Sequence, residues 1–224
     1  AHSGSSRPCW TMIWSMASGM EILAQQSHVK HLFVEFSYIG IVIVPAAWVL
    51  FVLEYTGRDA LITRRMLFLL SIHPILTLLA MTTNPHHHLY WTEVIWDAEQ
   101  GFTTYNAGPL FWMHAVYSYT MLFAGAVLLV NAFVRAPQVY RGQMTLLLIA
   151  QCVPWIANAL YISRTSPLPY YVDPTPLGFT ITGAAIAWSL YRFHLMDIVP
   201  VAHRAVFNSM NDAVFVVDLK RRFV

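Results

Sequence analysis

Six apolar stretches alternate with short polar connections, and this alternation is the dominant pattern of the chain. Each stretch is near the ~20 residues that a helix needs to cross the hydrocarbon core of a bilayer, although the third and sixth are short. The pattern predicts an all-α membrane protein, a multi-helix transmembrane bundle. The stretches cover residues 8–24, 32–53, 66–82, 109–134, 143–162 and 176–191.

One sizeable connection, residues 83–108, separates the third stretch from the fourth. Its two β-prone runs, 90–96 and 102–106, flank a turn-like segment at 97–101. We expect a short extracellular β-hairpin over the mouth of the bundle. An aromatic loop lying at the lipid headgroups is the alternative.

Composition agrees with a membrane protein. Apolar residues make up 57% of the chain and charged residues 11%, whereas soluble domains carry about 25% charged residues. A net charge of +2 gives no reason to expect a nucleic-acid partner. The two lysines, Lys30 and Lys220, fall outside the predicted membrane core, which argues against a retinal protein with its intramembrane Schiff base.

Arginine residues gather at alternate ends of the predicted helices, and only Lys30 and Arg164 fall on the opposite side. By the positive-inside rule the arginine-rich side is cytoplasmic. The sequence therefore predicts a multi-pass protein of the cell membrane with a cytoplasmic C-terminus. The basic residues on that side are Arg7, Arg58, Arg64, Arg65, Arg135, Arg141, Arg192 and Arg204, followed near the C-terminus by Lys220, Arg221 and Arg222.

The C-terminal end has a different character. Residues 1–195 form the predicted transmembrane domain, 196–211 a cytoplasmic linker helix, and 213–217 a buried β-strand followed by a turn. One strand cannot fold alone, so we expect 212–224 to be the truncated start of a cytosolic domain. The linker carries a heptad-like seam, with a plain amphipathic helix on the inner headgroups as the alternative. The seam positions are Val199, Ala202, Val206, Ser209 and Ala213.

Polar and aromatic side chains concentrate in the outer half of the predicted bundle. A charge at mid-bilayer costs at least about 2.5–3.5 kcal/mol on insertion scales, so such residues need partners or a purpose. We expect an outer-half cavity that binds a small-molecule or lipid-like ligand. The alternative is that these residues only tie helices together or reach the headgroups. The candidate ligand-binding residues are Glu21, Glu35, His73, Trp112, His114, Tyr117, Trp155 and Asn158.

No cofactor, metal site or catalytic residue is predicted. The loop histidines 86–88 lack a carboxylate or cysteine ligand at metal-binding spacing. His73 and His114 lie on neighbouring predicted helices and could serve as axial ligands of a haem. A haem- or other redox-cofactor-binding membrane protein is therefore the alternative function.

A series of short motifs carries a family resemblance. In chain order they include 14–21 (WSMASGME), 36–40 (FSYIG), 108–114 (GPLFWMH) and 173–177 (DPTPL). Their order resembles the N-terminal seven-transmembrane domain of bacterial and archaeal sensor histidine kinases. The segment 200–204 leads into what resembles the first strand of a PAS domain.

This resemblance implies a membrane sensor, or input, domain in a two-component system. Such a domain would relay its signal to a cytoplasmic PAS and kinase output, or sometimes to a diguanylate cyclase, in a homodimer formed through the downstream cytoplasmic domains. No kinase sequence is present, so this chain is not expected to be an enzyme by itself. The match begins at the second of the family's seven helices, so we expect a first helix before Ala1.

Overall fold

The computed structural model describes residues 9–99, 101–136, 138–169 and 172–193. All six predicted helices are confirmed, and a short additional helix, α4, precedes the hairpin. The predicted linker helix, its seam and the PAS-like strand lie outside the described residues. The helices are α1 Cys9–Leu23, α2 Ser27–Tyr55, α3 Arg64–Thr82, α4 Asn84–His87, α5 Pro109–Arg135, α6 Gln138–Ile162 and α7 Thr175–Phe193.

Four of the described helices are long and apolar enough to cross a membrane: α2, α3, α5 and the part of α6 from Met144 to Ile162. α1 has 15 residues, which is shorter than the ~20 of a typical span. Large apolar side chains cover the outside of the bundle, with Phe68 67% and Phe123 65% exposed. Such a surface is unstable in water and suits contact with lipid.

α2 is the central helix. It packs against α1, α3 and α5, while α6 pairs with α7 and α7 also contacts α1. A side chain at Gly40 would bring its Cβ to 2.5 Å from the Trp10 backbone oxygen, so glycine there permits the close approach of α1 and α2. An interior apolar cluster near the C-terminal end of α2 is formed by Val52, Leu129 and Leu147.

The predicted hairpin is confirmed as strands β1 (Trp91–Asp97) and β2 (Phe102–Ala107), which pair antiparallel. Asn84 holds its base. The Asn84 side-chain oxygen accepts hydrogen bonds from the backbone N–H groups of Tyr90 (2.9 Å) and Trp91 (3.0 Å), and its amide donates to the Trp91 carbonyl at 3.0 Å. The rings of Tyr90 and Trp91 both meet Tyr38 of α2 edge to face. The hairpin is therefore fixed to the central helix.

Candidate functional site

Lys30 is a buried cation in the first turn of α2. It is 3% exposed, and its ammonium group donates a hydrogen bond of 2.7 Å to the backbone oxygen of Glu21, near the end of α1. The ammonium also lies 5.9 Å from the centre of the Phe102 ring on the hairpin. The Glu21 carboxylate is within electrostatic range of both Lys30 and Asp173. A buried charge needs such partners because desolvation is costly.

Asp173 lies just before α7 and prepares the start of that helix. Its carboxylate accepts hydrogen bonds from the Thr175 backbone N–H (2.9 Å) and from the Thr175 hydroxyl (2.5 Å). An acidic group at this position also interacts favourably with the N-terminal end of the helix dipole. Burial raises the pKa of the Asp173 carboxyl, while the hydrogen bonds from Thr175 oppose that shift.

A directed series of hydrogen bonds connects three helices to Asp173. The Tyr119 hydroxyl on α5 donates to the Asn158 side-chain oxygen on α6 at 3.0 Å. The Asn158 amide donates to the Thr175 hydroxyl at 3.2 Å, and that hydroxyl donates to Asp173. Every donor points the same way, toward the carboxylate. Together with Glu21 and Lys30, the residues Asn158, Asp173 and Thr175 make up what we call the outer polar cluster.

Two tyrosines and the hairpin border this cluster. Tyr105 of β2 and Tyr161 of α6 are both within electrostatic range of Glu21. The Tyr105 hydroxyl lies 3.3 Å from Nδ1 of His31, and burial raises the pKa of Tyr105 above its ordinary range. This hydroxyl therefore stays protonated and can donate a hydrogen bond.

A second polar group, the histidine pair, joins α3 and α5. Nε2 of His73 lies 3.2 Å from Nδ1 of His114, with the two rings nearly parallel at 7°. Thr77 contacts His73 at 3.3 Å and Ser118 contacts His114 at 3.4 Å. The Tyr117 ring stacks on His73 with 3.8 Å between centres.

The histidine pair does not fit a metal held between its rings. A metal–imidazole bond is about 2.0 Å, as for zinc, so two axial nitrogens stand roughly 4 Å apart across a metal. Here the nitrogens are directly hydrogen-bonded at 3.2 Å. Among the described residues no group of three or more His, Cys, Asp or Glu side chains could hold a metal ion.

The family described as the N-terminal 7TM region of histidine kinase matches residues 9–200. The chain belongs to this family. Membership confirms the predicted membrane sensor domain of a histidine kinase and the membrane location. No curated protein and no solved structure matches the chain.

Within this 7TM sensor domain, the predicted site residues fall into three places. Glu21 and Asn158 come together in the outer polar cluster, connected through Asp173 and Thr175. His73, His114 and Tyr117 form the separate group between α3 and α5. The remaining candidates lie apart from both groups. The Glu35 carboxylate is 3.7 Å from Nε2 of His31, and its side chain is 39% exposed. Trp112 is 50% exposed beside Phe111, and Trp155 is half-buried on α6.

Sequence reasoning did not select Lys30, Asp173 or Thr175 of this 7TM domain as site residues. Lys30 was visible as an exception to the charge asymmetry, and it follows Glu21 closely across the tight connection between α1 and α2. Asp173 and Thr175 stood within a family motif at the start of α7. A search for opposite charges at adjacent helix ends would have paired Lys30, at the start of α2, with Glu21, near the end of α1.

Proposed function

We propose that the outer polar cluster binds a small or lipophilic signal molecule and that binding changes the position of α7. The observation that carries this proposal is the directed series of hydrogen bonds from Tyr119 to Asp173. It passes through Thr175, the first residue of α7, and ends at Asp173 just before that helix, which is the last of the described helices. A ligand at the cluster therefore acts where α7 begins.

The chemistry of the cluster suits a molecule with a polar head and an apolar body. Lys30 offers a cation, and Glu21 and Asp173 offer acceptors. Tyr105 and Tyr161 add aromatic surface and hydroxyl groups. Ligand sites are commonly of this kind, mostly apolar with a few polar groups that fix orientation.

A ligand that replaces one hydrogen bond of Asp173 or Thr175 changes the free energy of the complex enough to shift the position of α7. Hydrogen bonds to charged groups contribute about 1.5–3 kcal/mol, and about 1.4 kcal/mol changes a conformational equilibrium tenfold. α7 is also joined to α6 farther along, since the Thr182 hydroxyl donates to the Ala150 carbonyl at 2.6 Å. Because of this second hydrogen bond, a displacement of α7 at Thr175 also acts on the contact between Thr182 and Ala150.

The output side of the proposal rests on the charge asymmetry of the sequence. A cytoplasmic C-terminus places the segment after α7 in the cytosol. We infer that α7 acts there on a PAS domain and a histidine kinase, in a homodimer held by those downstream domains.

Native mass spectrometry of the protein in lipid nanodiscs tests the ligand. Wild-type protein should retain a bound molecule that the Lys30→Met variant loses, because the variant removes the buried cation. Arg65→Met is the matched control, since Arg65 carries the same charge at the far end of α3 and its loss should leave the bound molecule in place. Identical bound species in all three proteins, or none in the wild type, would contradict the proposal.

A further inference from the structure

His73 lies at the middle of α3 and faces outward as well as inward. Its side chain is half-buried, and the leucines one turn away on either side, Leu69 and Leu76, are 65% and 56% exposed. No described residue covers this surface, and in hydrocarbon a polar atom without a partner costs several kcal/mol. Among the described residues, one edge of the imidazole is therefore open to a partner that reaches it through the lipid.

Only one nitrogen of His73 is satisfied by the described residues. Nε2 contacts His114 and Thr77. No described residue hydrogen-bonds to Nδ1. The Tyr117 ring covers one face of the imidazole, and the Tyr117 hydroxyl is directed to the Leu70 carbonyl at 3.5 Å. A partner for Nδ1 must therefore approach along the edge of the ring.

The histidine pair can make that edge either a donor or an acceptor. If Nε2 of His73 donates to His114, then Nδ1 of His73 has no proton and accepts, while His114 donates to Ser118. In the other arrangement His114 and Thr77 donate to Nε2, Ser118 donates to His114, and Nδ1 of His73 carries a proton. Both arrangements keep the hydrogen bond between the two histidines and the one between His114 and Ser118.

We propose that Nδ1 of His73 is a binding site for the ring oxygen of a lipid-soluble quinone or quinol. The carbonyl of a quinone accepts a hydrogen bond and selects the protonated edge. The hydroxyl of a quinol donates one and selects the other arrangement. A hydrocarbon tail offers nothing to Nδ1, and a charged headgroup does not reach the middle of a span.

This site is separate from the outer polar cluster and does not depend on it. No electron transfer is part of the proposal; the ligand binds in either oxidation state. A membrane sensor with such a site would respond to the pool of lipid-soluble quinones, in addition to any signal at the outer cluster.

Photo-crosslinking in nanodiscs tests the site, with an azido derivative of menadione as the probe and empty nanodiscs as background. We expect labelling on α3 or α5 near His73. Menadione should compete, whereas 2-methylnaphthalene, which has the same rings without the carbonyls, should compete at least tenfold less well. Equal competition by both compounds would overturn the proposal, whatever the variants do.

Two substitutions sharpen the result. His73→Gln keeps a polar group near the Nε2 position, facing His114, and removes Nδ1, so labelling should fall at least tenfold while the melting temperature stays near that of the wild type. His86→Gln changes a histidine of α4 outside the pair and should leave labelling unchanged. Wild-type labelling in a folded His73→Gln protein would also refute the assignment. If that variant does not fold, the competition between menadione and 2-methylnaphthalene decides.

Discussion

The amide of Asn158 donates a hydrogen bond to the hydroxyl of Thr175 across 3.2 Å, which joins the C-terminal part of α6 to the first residue of α7. Thr175 is 2% exposed, so water does not replace this partner. Its hydroxyl passes the series on to Asp173. One buried hydroxyl thus connects α6 with the carboxylate that stands just before α7.

Replacing Thr175 by valine should destabilise the domain by about 1–3 kcal/mol, because the buried Asn158 amide loses its acceptor and Asp173 loses a donor while the shape is nearly kept. Unfolding of the purified protein in nanodiscs or detergent measures the effect. Thr180→Val is the control, since the Thr180 hydroxyl is exposed and bonds only within its own helix to Pro176. Equal effects of the two substitutions would show that the series contributes nothing.

Gly178 sets the distance between α6 and α7. A Cβ there would stand 2.8 Å from the Pro154 Cα, whereas a Cβ at Gly183 would meet nothing within 4 Å. We expect Gly178→Ala to cost about 1–3 kcal/mol through overpacking. Gly183→Ala should be neutral or stabilising by up to about 1 kcal/mol, because alanine favours the helix. Thermal unfolding of both variants checks the contrast, and a harmless Gly178→Ala would mean that the two helices are free to separate.

The Asp173 carboxyl should make stability depend on pH. Burial raises its pKa in the folded protein above the ordinary value, so the folded state binds a proton more readily than the unfolded chain. Its stabilising contribution is full below the ordinary pKa of about 4 and is lost as pH rises through the folded pKa.

Asp173→Asn should remove this dependence, since asparagine keeps an oxygen for Thr175 and does not titrate. Melting temperatures across pH, read as the difference between wild type and variant, isolate Asp173 from other groups such as Glu21. Parallel curves for the two proteins would contradict the prediction.

The helices and the hairpin could be predicted because each depends on local sequence. A membrane helix satisfies its own backbone, so apolar length is a sufficient signal, and the helix bounds follow the apolar stretches within a few residues. The β-prone runs gave the two strands in the same way. The role of Asn84 at the base of the hairpin was not predicted, because an asparagine in a turn has many uses.

The outer polar cluster could be predicted only in part. Glu21 and Asn158 were selected because they are polar residues in apolar stretches. Lys30 and Asp173 lie at helix ends, where charged residues are ordinary, and nothing local distinguishes them. Asp173 is buried where α7 contacts α1, at opposite ends of the described chain, and Lys30 is buried between the end of α1 and Phe102 of the hairpin. Periodicity reveals neither contact.

The proposed relay is tested most directly by autophosphorylation of the full-length kinase in membrane vesicles. Asn158→Ala and Thr175→Val should each change the activity several-fold at equal protein level, and the double variant should match a single one because both substitutions interrupt the same series. Thr180→Val should behave as wild type. Wild-type activity in Asn158→Ala and Thr175→Val, or effects that simply add in the double variant, would contradict the relay.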